Sequence, residues 1–231
     1  MCWRSAGRID RLPGDERIRF DRSFQTDARA ELARPEVGIA SDALKARLCS
    51  QNRNKLRELA ALLPGWELEL LDVDGYPEET ADSYYENARD KALHGRLVGP
   101  ADAWMLGEDS GLEVEALGGA PGIRSARYAP EGGEAIAKLL GELRGVEADA
   151  RRARYVCELV LLGPDGREVR GTGALEGHIA EEPRGSEGFG YDPVFVPDGE
   201  ERTVAELGND WKSRNSHRAR SAQSLLKALT G

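Results

Sequence analysis

The sequence has few of the residues that usually hold metals or form disulfides. It contains only three cysteines, and none of them forms a CxxC spacing, so neither a disulfide framework nor a structural zinc site is supported. Histidine is equally scarce, and His94, His178 and His217 suggest no histidine metal cluster. The scarcity of cysteine predicts a reducing, cytoplasmic setting.

Long apolar runs and an excess of basic charge are also missing. No apolar run approaches the length of a membrane span, and the Arg-rich N-terminus lacks the apolar core of a secretion signal. The 32 basic residues are outnumbered by 41 acidic ones, which leaves a net charge of −9. Proteins that bind nucleic acid without sequence preference normally present a basic surface. We therefore expect neither a membrane nor a nucleic-acid partner, although a local basic cluster could bind a small anion.

The sequence divides into two parts. Residues 1–45 are rich in Arg, Asp and Glu and show no sustained helical or strand period, which predicts a poorly ordered N-terminal extension. A start codon assigned too far upstream would also explain them. Residues 46–231 are long enough to form one sizeable core, and nothing in them demands a further domain.

A polar loop, Ser50–Lys55, follows the first predicted strand, Ala46–Cys49. After the loop, apolar residues between positions 56 and 63 have the spacing of an amphipathic helix. The first backbone N–H groups of a helix are unpaired and suit phosphate, and Lys55 would add a full charge. The loop lacks the GxxxxGK pattern of P-loop ATPases and GTPases. Phosphate binding and an ordinary strand–loop–helix unit both remain possible interpretations.

Two adjacent carboxylates, Glu108 and Asp109, lie in the short segment Gly107–Leu112. Apolar strands are predicted on both sides, so the segment is interpreted as an acidic turn. One carboxylate could bind a hard cation while the other positions a water molecule or a ligand. Asp, Ser and Gly are also favoured turn formers, so a solvated hairpin tip is the alternative.

Hydrophobic spacing and turn residues predict the remaining elements. A helix from about Ala81 to Leu97, with Thr80 as its N-cap, places Asn87 and Lys91 on one face. We also predict a strand at 67–73, a helix around 136–143, a hairpin of strands 154–162 and 168–175, and a C-terminal helix capped by Ser216.

Two segments near the C-terminus could contact a planar, anionic ligand. In Gly185–Phe195, Phe189 is flanked by glycines and could lie against a nucleobase, while Asp192 could accept a hydrogen bond from a ring N–H. Ordinary packing at a sheet edge is the alternative. Lys212, His217 and Arg218 precede the last helix and could form an anion pocket, although His217 could equally be a packed, neutral histidine.

The order of these motifs closely resembles the inosine triphosphate pyrophosphatase family, over about residues 46 to 229. The motifs are Ser50-x-Asn52-x-x-Lys55, Glu86-Asn87-Ala88 with Lys91, Glu108-Asp109-Ser110-Gly111-Leu112, Gly119-Ala120-Pro121-Gly122-Ile123 with Ser125-Ala126-Arg127-Tyr128, Gly188-Phe189-Gly190-Tyr191-Asp192-Pro193, and Lys212-Ser213 with Ser216-His217-Arg218. The resemblance implies an α/β fold with a long, twisted central mixed sheet flanked by helices. It also implies two lobes with an active-site cleft between them, and a homodimer.

The activity implied by the resemblance is Mg²⁺-dependent hydrolysis of ITP, dITP and XTP to the monophosphate and pyrophosphate, which keeps these nucleotides out of DNA and RNA. Asp109 would be the catalytic carboxylate and a Mg²⁺ ligand, Glu78 a second metal ligand, and Ser110 a nucleotide contact. The remaining substrate-binding residues would be Ser50, Gln51, Asn52, Arg53, Asn54, Lys55, Phe189, Gly190, Tyr191, Asp192, Lys212, His217 and Arg218.

The sequence departs from the family pattern at two site positions. Gln51 replaces a glycine that lets the backbone approach phosphate, and Glu108 stands where aspartate is frequent. These departures leave a nucleotide-binding sensor with little or no turnover as one alternative. A septum-inhibitor-type nucleotide pyrophosphatase is the other, although the motifs at 189–192 and 216–218 argue against it.

Overall fold

The structure is a computed structural model that describes residues 43–129 and 132–231. Its strands are β1 (Leu44–Leu48), β2 (Trp66–Leu70), β3 (Trp104–Val114), β4 (Pro121–Gly122), β5 (Arg152–Leu162), β6 (Glu168–Ile179) and β7 (Phe195–Pro197). They form one sheet in the order β2-β1-β3-β5-β6-β7, with β4 alongside β3. β1 runs parallel to β2 and β3, whereas the β3–β5, β5–β6 and β6–β7 pairs are antiparallel. The predicted mixed sheet is thus confirmed, and the two lobes with a cleft stay a prediction.

Helices flank this sheet and bury its central strands on both faces. They are α1 (Arg53–Leu62), α2 (Tyr84–Val98), α3 (Gly132–Glu142), α4 (Val204–Asn215) and α5 (His217–Thr230). Leu59 of α1 and Leu225 of α5 share one core with Leu159 of β5, while Ala92 of α2 shares another with Val160. Because neighbouring residues of β5 face different cores, this strand has a continuous apolar run. No helix in the described ranges is long and apolar enough to cross a membrane.

The predicted acidic turn at Gly107–Leu112 is wrong, because Glu108 and Asp109 lie inside the 11-residue strand β3. They pair in register with Leu159 and Glu158 of β5. The glycines serve close packing instead of a turn. A Cβ on Gly107 would lie 1.8 Å from the carbonyl oxygen of Ala88 in α2, so only glycine lets that helix rest directly on the strand.

The boundaries of the other elements follow local capping chemistry. Ser83, and not the predicted Thr80, caps α2: its hydroxyl accepts from the backbone N–H of Glu86 at 3.2 Å. Strand β1 begins and ends earlier than predicted, and β2 ends at Leu70. The hairpin of β5 and β6 and the cap at Ser216 are confirmed. The extension predicted for residues 1–45 lies, apart from its last three positions, outside the described residues.

A close backbone contact sets the position of α5 on the sheet. A Cβ on Gly173 of β6 would lie 2.1 Å from the carbonyl oxygen of His217 and 2.3 Å from the backbone nitrogen of Ser221. The hydroxyl of Ser221 also donates to the Gly171 carbonyl at 2.7 Å. The first turn of α5, which carries His217 and Arg218, is therefore held directly against the strand.

Candidate active site

Asp109 is held by two side chains of α2. Successive side chains of a strand point to opposite faces, so Glu108 and Asp109 project from β3 to different sides of the sheet. Lys91 Nζ lies 3.0 Å from Asp109 Oδ1 and 3.0 Å from the Glu108 carbonyl oxygen, and Asn87 Nδ2 donates to Asp109 Oδ2 at 3.2 Å. Asn87 and Lys91 share a helix face, as predicted from their spacing, and this face fixes the carboxylate.

A second carboxylate reaches the same ammonium, and it belongs to Glu79, the neighbour of the predicted metal ligand Glu78. Glu79 Oε1 lies 2.5 Å from Lys91 Nζ, and Glu79 Oε2 lies 3.1 Å from an Arg127 nitrogen. Glu78 is exposed. The structure therefore brings Glu79 and Asp109 together through Lys91. Sequence reasoning missed Glu79 because two adjacent glutamates in an irregular segment carry no pattern that separates them.

The charges in this cluster give its members different proton affinities. Burial raises the pKa of Asp109 above its ordinary value, despite the neighbouring Lys91. Burial would also raise the pKa of Glu79, but Lys91 and Arg127 bring it below the ordinary value. Burial alone would lower the pKa of Lys91, but the carboxylates around it raise that pKa above its ordinary value. Asp109 is thus the carboxylate better suited to accept a proton from water.

The carboxylates of Asp109 and Glu79 suit a hard cation that completes its coordination with water or substrate oxygens. Among the described residues, no group of three or more His, Cys, Asp or Glu side chains could hold a metal ion. Mg²⁺ is usually bound through one or two carboxylates together with water and substrate phosphates. The carboxylates of Asp109 and Glu79, which share one ammonium, match that limited donor set.

On the other side of the sheet, Glu108 joins two cationic side chains. Its fully buried carboxylate lies 2.5 Å from Lys55 Nζ and 2.8 Å from an Arg218 nitrogen. Burial alone would raise the pKa of Glu108, but Lys55 and Arg218 hold it well below its ordinary value. Glu58 of α1, which sequence reasoning missed, lies 2.5 Å from Arg218 and 2.7 Å from Lys212. The sequence signal that could have identified Glu58 is its position one helical turn after Lys55, on the same face of α1.

The aromatic ring of Phe189 lies over these cations. Lys212 Nζ is 4.3 Å from the ring centroid, and the guanidinium carbon of Arg218 is 5.7 Å from it. Asp192 accepts from the backbone N–H of Phe189 at 2.8 Å and from Lys212 Nζ at 2.5 Å. Asp192 therefore ties the glycine-rich loop to α4, and cations line one side of the ring.

His217 is a buried histidine that stacks on an aromatic ring. Its imidazole lies parallel to the ring of Tyr155, with centroids 4.5 Å apart and planes 8° apart. Burial, followed by the charges of Arg218 and Lys212, lowers the pKa of His217 well below its ordinary value. Within the described ranges its Nδ1 is buried without a hydrogen-bond partner. A neutral imidazole can offer one donor and one acceptor to a ligand.

The loop before α1 is organised by Asn52, which is the N-cap of the helix. Its Oδ1 accepts from the backbone N–H groups of Asn54 at 2.9 Å and Lys55 at 3.2 Å, and Ser50 Oγ accepts from the N–H of Asn52 at 3.1 Å. The backbone N–H groups of Asn52, Asn54 and Lys55 therefore already have acceptors within the loop. Only part of the main chain predicted to bind phosphate is free to do so. The side chain of Lys55 still reaches the site through Glu108.

A cavity of about 290 Å³ brings most of the predicted substrate-binding residues together. Those that line it are Asn52, Lys55, Ser110, Phe189, Gly190, Tyr191, Asp192, Lys212, His217 and Arg218. Ser50, Gln51 and Arg53 instead line an open groove beside β2. Asn54 Oδ1 accepts a hydrogen bond from Arg57 Nη2 at 2.5 Å. Arg218 Nη2 donates to Ser110 Oγ at 3.0 Å. This hydrogen bond links β3 to the cavity.

Comparisons with known proteins agree with the predicted resemblance. The Ham1 family model matches residues 46–228. A dITP/XTP pyrophosphatase of Gloeobacter violaceus is 44% identical over 186 residues, covering 79% of this chain and 93% of the relative; that of Bacillus subtilis is 38% identical over 193 residues, covering 80% and 96%. A HAM1 protein structure from Coxiella burnetii has a TM-score of 0.71 at 36% identity, covering 81% of this chain and 98% of that one. The Staphylococcus aureus Ham1 protein has a TM-score of 0.69 at 35% identity, covering 80% and 97%.

Proposed function

Because this chain belongs to the Ham1 family, we propose that it hydrolyses deaminated purine nucleoside triphosphates, namely ITP, dITP and XTP, to the monophosphate and pyrophosphate. One structural observation carries the proposal beyond the names of relatives. The cavity presents buried Lys212, His217 and Arg218 beside the ring of Phe189. This arrangement combines a stacking surface with hydrogen-bond donors, as a keto purine requires.

The donors of the cavity explain selection against ATP. Hypoxanthine presents an acceptor oxygen at position 6, where adenine presents an amino donor. Lys212 and Arg218 can only donate hydrogen bonds, so an adenine amino group would turn a donor toward these donors and could not take the place of the oxygen acceptor. Unpaired buried polar groups are costly, which makes such a pocket reject the wrong base strongly. We propose that Phe189, Gly190, Tyr191 and Asp192 complete the base pocket, with Ser110 contacting the nucleotide.

Asp109 is the proposed catalytic carboxylate. Lys91 and Asn87 fix both of its oxygens, so it can hold an attacking water in one orientation. Its raised pKa also favours acceptance of a proton from that water. Asp109 and Glu79 are the residues proposed to hold Mg²⁺, which would offset the charge of the phosphate oxygens when bound. Glu78, the second metal ligand that the resemblance implies, stays a proposal beside them, and Glu79 is added because it contacts Lys91.

The triphosphate is assigned to Lys55 and Lys91, which contact the carboxylates of Glu108 and Asp109 on the two sides of β3. Lys55 lies at the start of α1 and Lys91 beside Asp109, so two ammonium groups can absorb charge that develops on the phosphates. Ser50, Gln51, Asn52, Arg53 and Asn54 complete the proposed phosphate loop. We further propose residues 46–231 as the catalytic domain and a homodimer as the working assembly.

A substrate panel tests this function directly. Pyrophosphate release from ITP, XTP, dITP, GTP and ATP would be measured with and without Mg²⁺, using the full chain and, as a control, Asp109→Asn. Turnover of ITP, dITP and XTP well above that of ATP, dependent on Mg²⁺ and lost in the variant, is expected. Tight ITP binding without pyrophosphate release would instead identify a sensor, and preference for other triphosphates would favour the septum-inhibitor type.

A further inference from the structure

We infer that Arg127 is a positioning residue that holds Glu79 beside Asp109 and thereby strengthens binding of a divalent cation. Among the described residues, Arg127 is not itself part of the cavity lining, and its side chain bonds to Glu79 and not to Asp109. The cation part of this inference rests on the function proposed above. The positioning part rests only on contacts within the chain.

Glu79 lies on a segment that has no helix or strand to fix it. Residues 71–83, between β2 and α2, form neither element. Lys91 holds one carboxylate oxygen of Glu79 at 2.5 Å. Arg127 holds the other oxygen at 3.1 Å through Nη1, and its Nη2 donates to the Glu79 backbone carbonyl at 3.3 Å. One guanidinium therefore restrains both the side chain and the main chain of Glu79, which its planar array of donors makes possible.

Arg127 is itself anchored to the strand that carries Asp109. It ends the short 3-10 helix Ser125–Arg127. Ser125 Oγ accepts from the backbone N–H of Leu112 in β3 at 2.8 Å and donates to the Gly122 carbonyl at 2.6 Å. Tyr191 donates from its hydroxyl to the Ser125 carbonyl at 3.1 Å. The contact with Arg127 thus connects the Glu79 segment to the fixed end of β3.

The contact between Arg127 and Glu79 is also compatible with the opposite effect on cation binding. The experiment must distinguish the two effects. The charge of Arg127 also neutralises Glu79, so a bound cation would share this carboxylate with a guanidinium. If Arg127 acts mainly as a competitor, its removal tightens cation binding. If it acts mainly by position, removal weakens binding, because an unrestrained carboxylate pays an ordering cost.

Arg127→Gln and Arg127→Lys, made in the full chain, distinguish these roles. Hydrogen exchange of residues 71–83, measured without metal or nucleotide, is expected to accelerate about 3- to 10-fold in both variants, since each loses the two-point contact. The dissociation constant for Mn²⁺, measured by calorimetry without nucleotide, is expected to rise by a similar factor. Arg127→Lys keeps the charge and should restore Mn²⁺ binding at most in part. Arg124→Gln, an exposed arginine of the same loop, serves as the matched control and should change neither value.

Unchanged exchange of residues 71–83 in Arg127→Gln would overturn the positioning role. Tighter Mn²⁺ binding by that variant would overturn the cation role and identify Arg127 as a competitor. Failure of the wild-type protein to hydrolyse ITP would count against the proposed function, while the exchange measurement would still decide the contact. Because the Arg127 side chain is about half exposed (48%), the fold should survive both substitutions, which thermal melting would check.

Discussion

The ammonium of Lys91 lies 3.0 Å from Asp109 Oδ1, and both side chains are buried. The helix supplies the cation and the strand supplies the carboxylate, so their relative position depends on how closely α2 lies on β3. Gly107 permits that close approach. The contact therefore makes the packing of a helix on a sheet part of the proposed catalytic geometry.

Asp109→Asn is expected to lower the turnover of ITP by about 10²- to 10⁴-fold, the range that loss of a catalytic base usually produces. The substitution removes the charge and keeps the shape, so the thermal midpoint should stay close to that of the wild type. Pyrophosphate release and thermal melting measure the two effects. Unchanged turnover would remove Asp109 from its assigned role.

Lys91→Met is expected to destabilise the fold by roughly 3–5 kcal/mol, because it leaves buried carboxylates without their cation. Urea denaturation of the variant and of wild type gives the difference in the free energy of unfolding. The double variant Lys91→Met, Asp109→Asn provides the control, since it also removes one of the stranded charges and should recover part of the loss. Equal denaturation midpoints for wild type and Lys91→Met would contradict this account.

Lys212→Met is expected to lower kcat/KM for ITP by about 10- to 100-fold, the effect of losing one charged hydrogen-bond donor. ATP gains nothing from that donor, so its kcat/KM should change much less and the ratio of the two should fall. Lys212→Arg keeps the charge and should lose less activity with ITP. A loss of equal size with both nucleotides would place Lys212 outside base recognition.

Burial and neighbouring cations lower the pKa of His217, and this shift predicts how stability depends on pH. Below about pH 6.5, the unfolded chain binds a proton at this histidine that the folded chain does not, so the free energy of unfolding falls as the pH falls. The loss reaches at most about 1.4 kcal/mol per pH unit. Urea midpoints at about pH 7.5 and about pH 5.5 should therefore differ less in His217→Gln than in wild type.

A matched substitution, His178→Gln, controls for the loss of an imidazole elsewhere in the chain. His178 lies on β6 and is half-buried. If His217→Gln showed the same pH dependence as wild type, the buried, neutral state assigned to His217 would be incorrect.

Gly173→Ala is expected to cost about 1–3 kcal/mol of stability, because the new Cβ would meet the backbone of α5. Gly141→Ala is the control: a Cβ there meets nothing within 4 Å, and alanine should stabilise helix α3 by about 0.5–1 kcal/mol. Thermal melting of both variants would measure the contrast. Similar midpoints for the two variants would show that α5 can move away from the sheet without cost.

Local signals were sufficient to predict several elements of the fold. The hairpin of β5 and β6 was predicted because its turn residues, Gly163 to Gly166, lie between two apolar strand patterns. Ser216 was identified as a cap because capping depends on the residues that follow within one turn. Asn87 and Lys91 were placed together by helical spacing alone.

The acidic pair could not be placed from local signals, because its environment comes from distant parts of the chain. Glu108 is held by Lys55 and Arg218, and Asp109 by Lys91. Without those partners, the segment has the composition of a solvated turn. The same limit applies to Glu79, whose contact with Lys91 has no local signal in the sequence.

The buried carboxylate of Glu108 contacts Lys55, assigned to the phosphates, and Arg218, assigned to the base. A single anion thus balances charges at both ends of the proposed substrate. Replacing either cation leaves the other with a changed electrostatic environment, even though the two are far apart in sequence. In the proposed function, recognition of the base and of the triphosphate is therefore coupled through Glu108, and a new base preference would have to preserve the charge balance at the phosphate end.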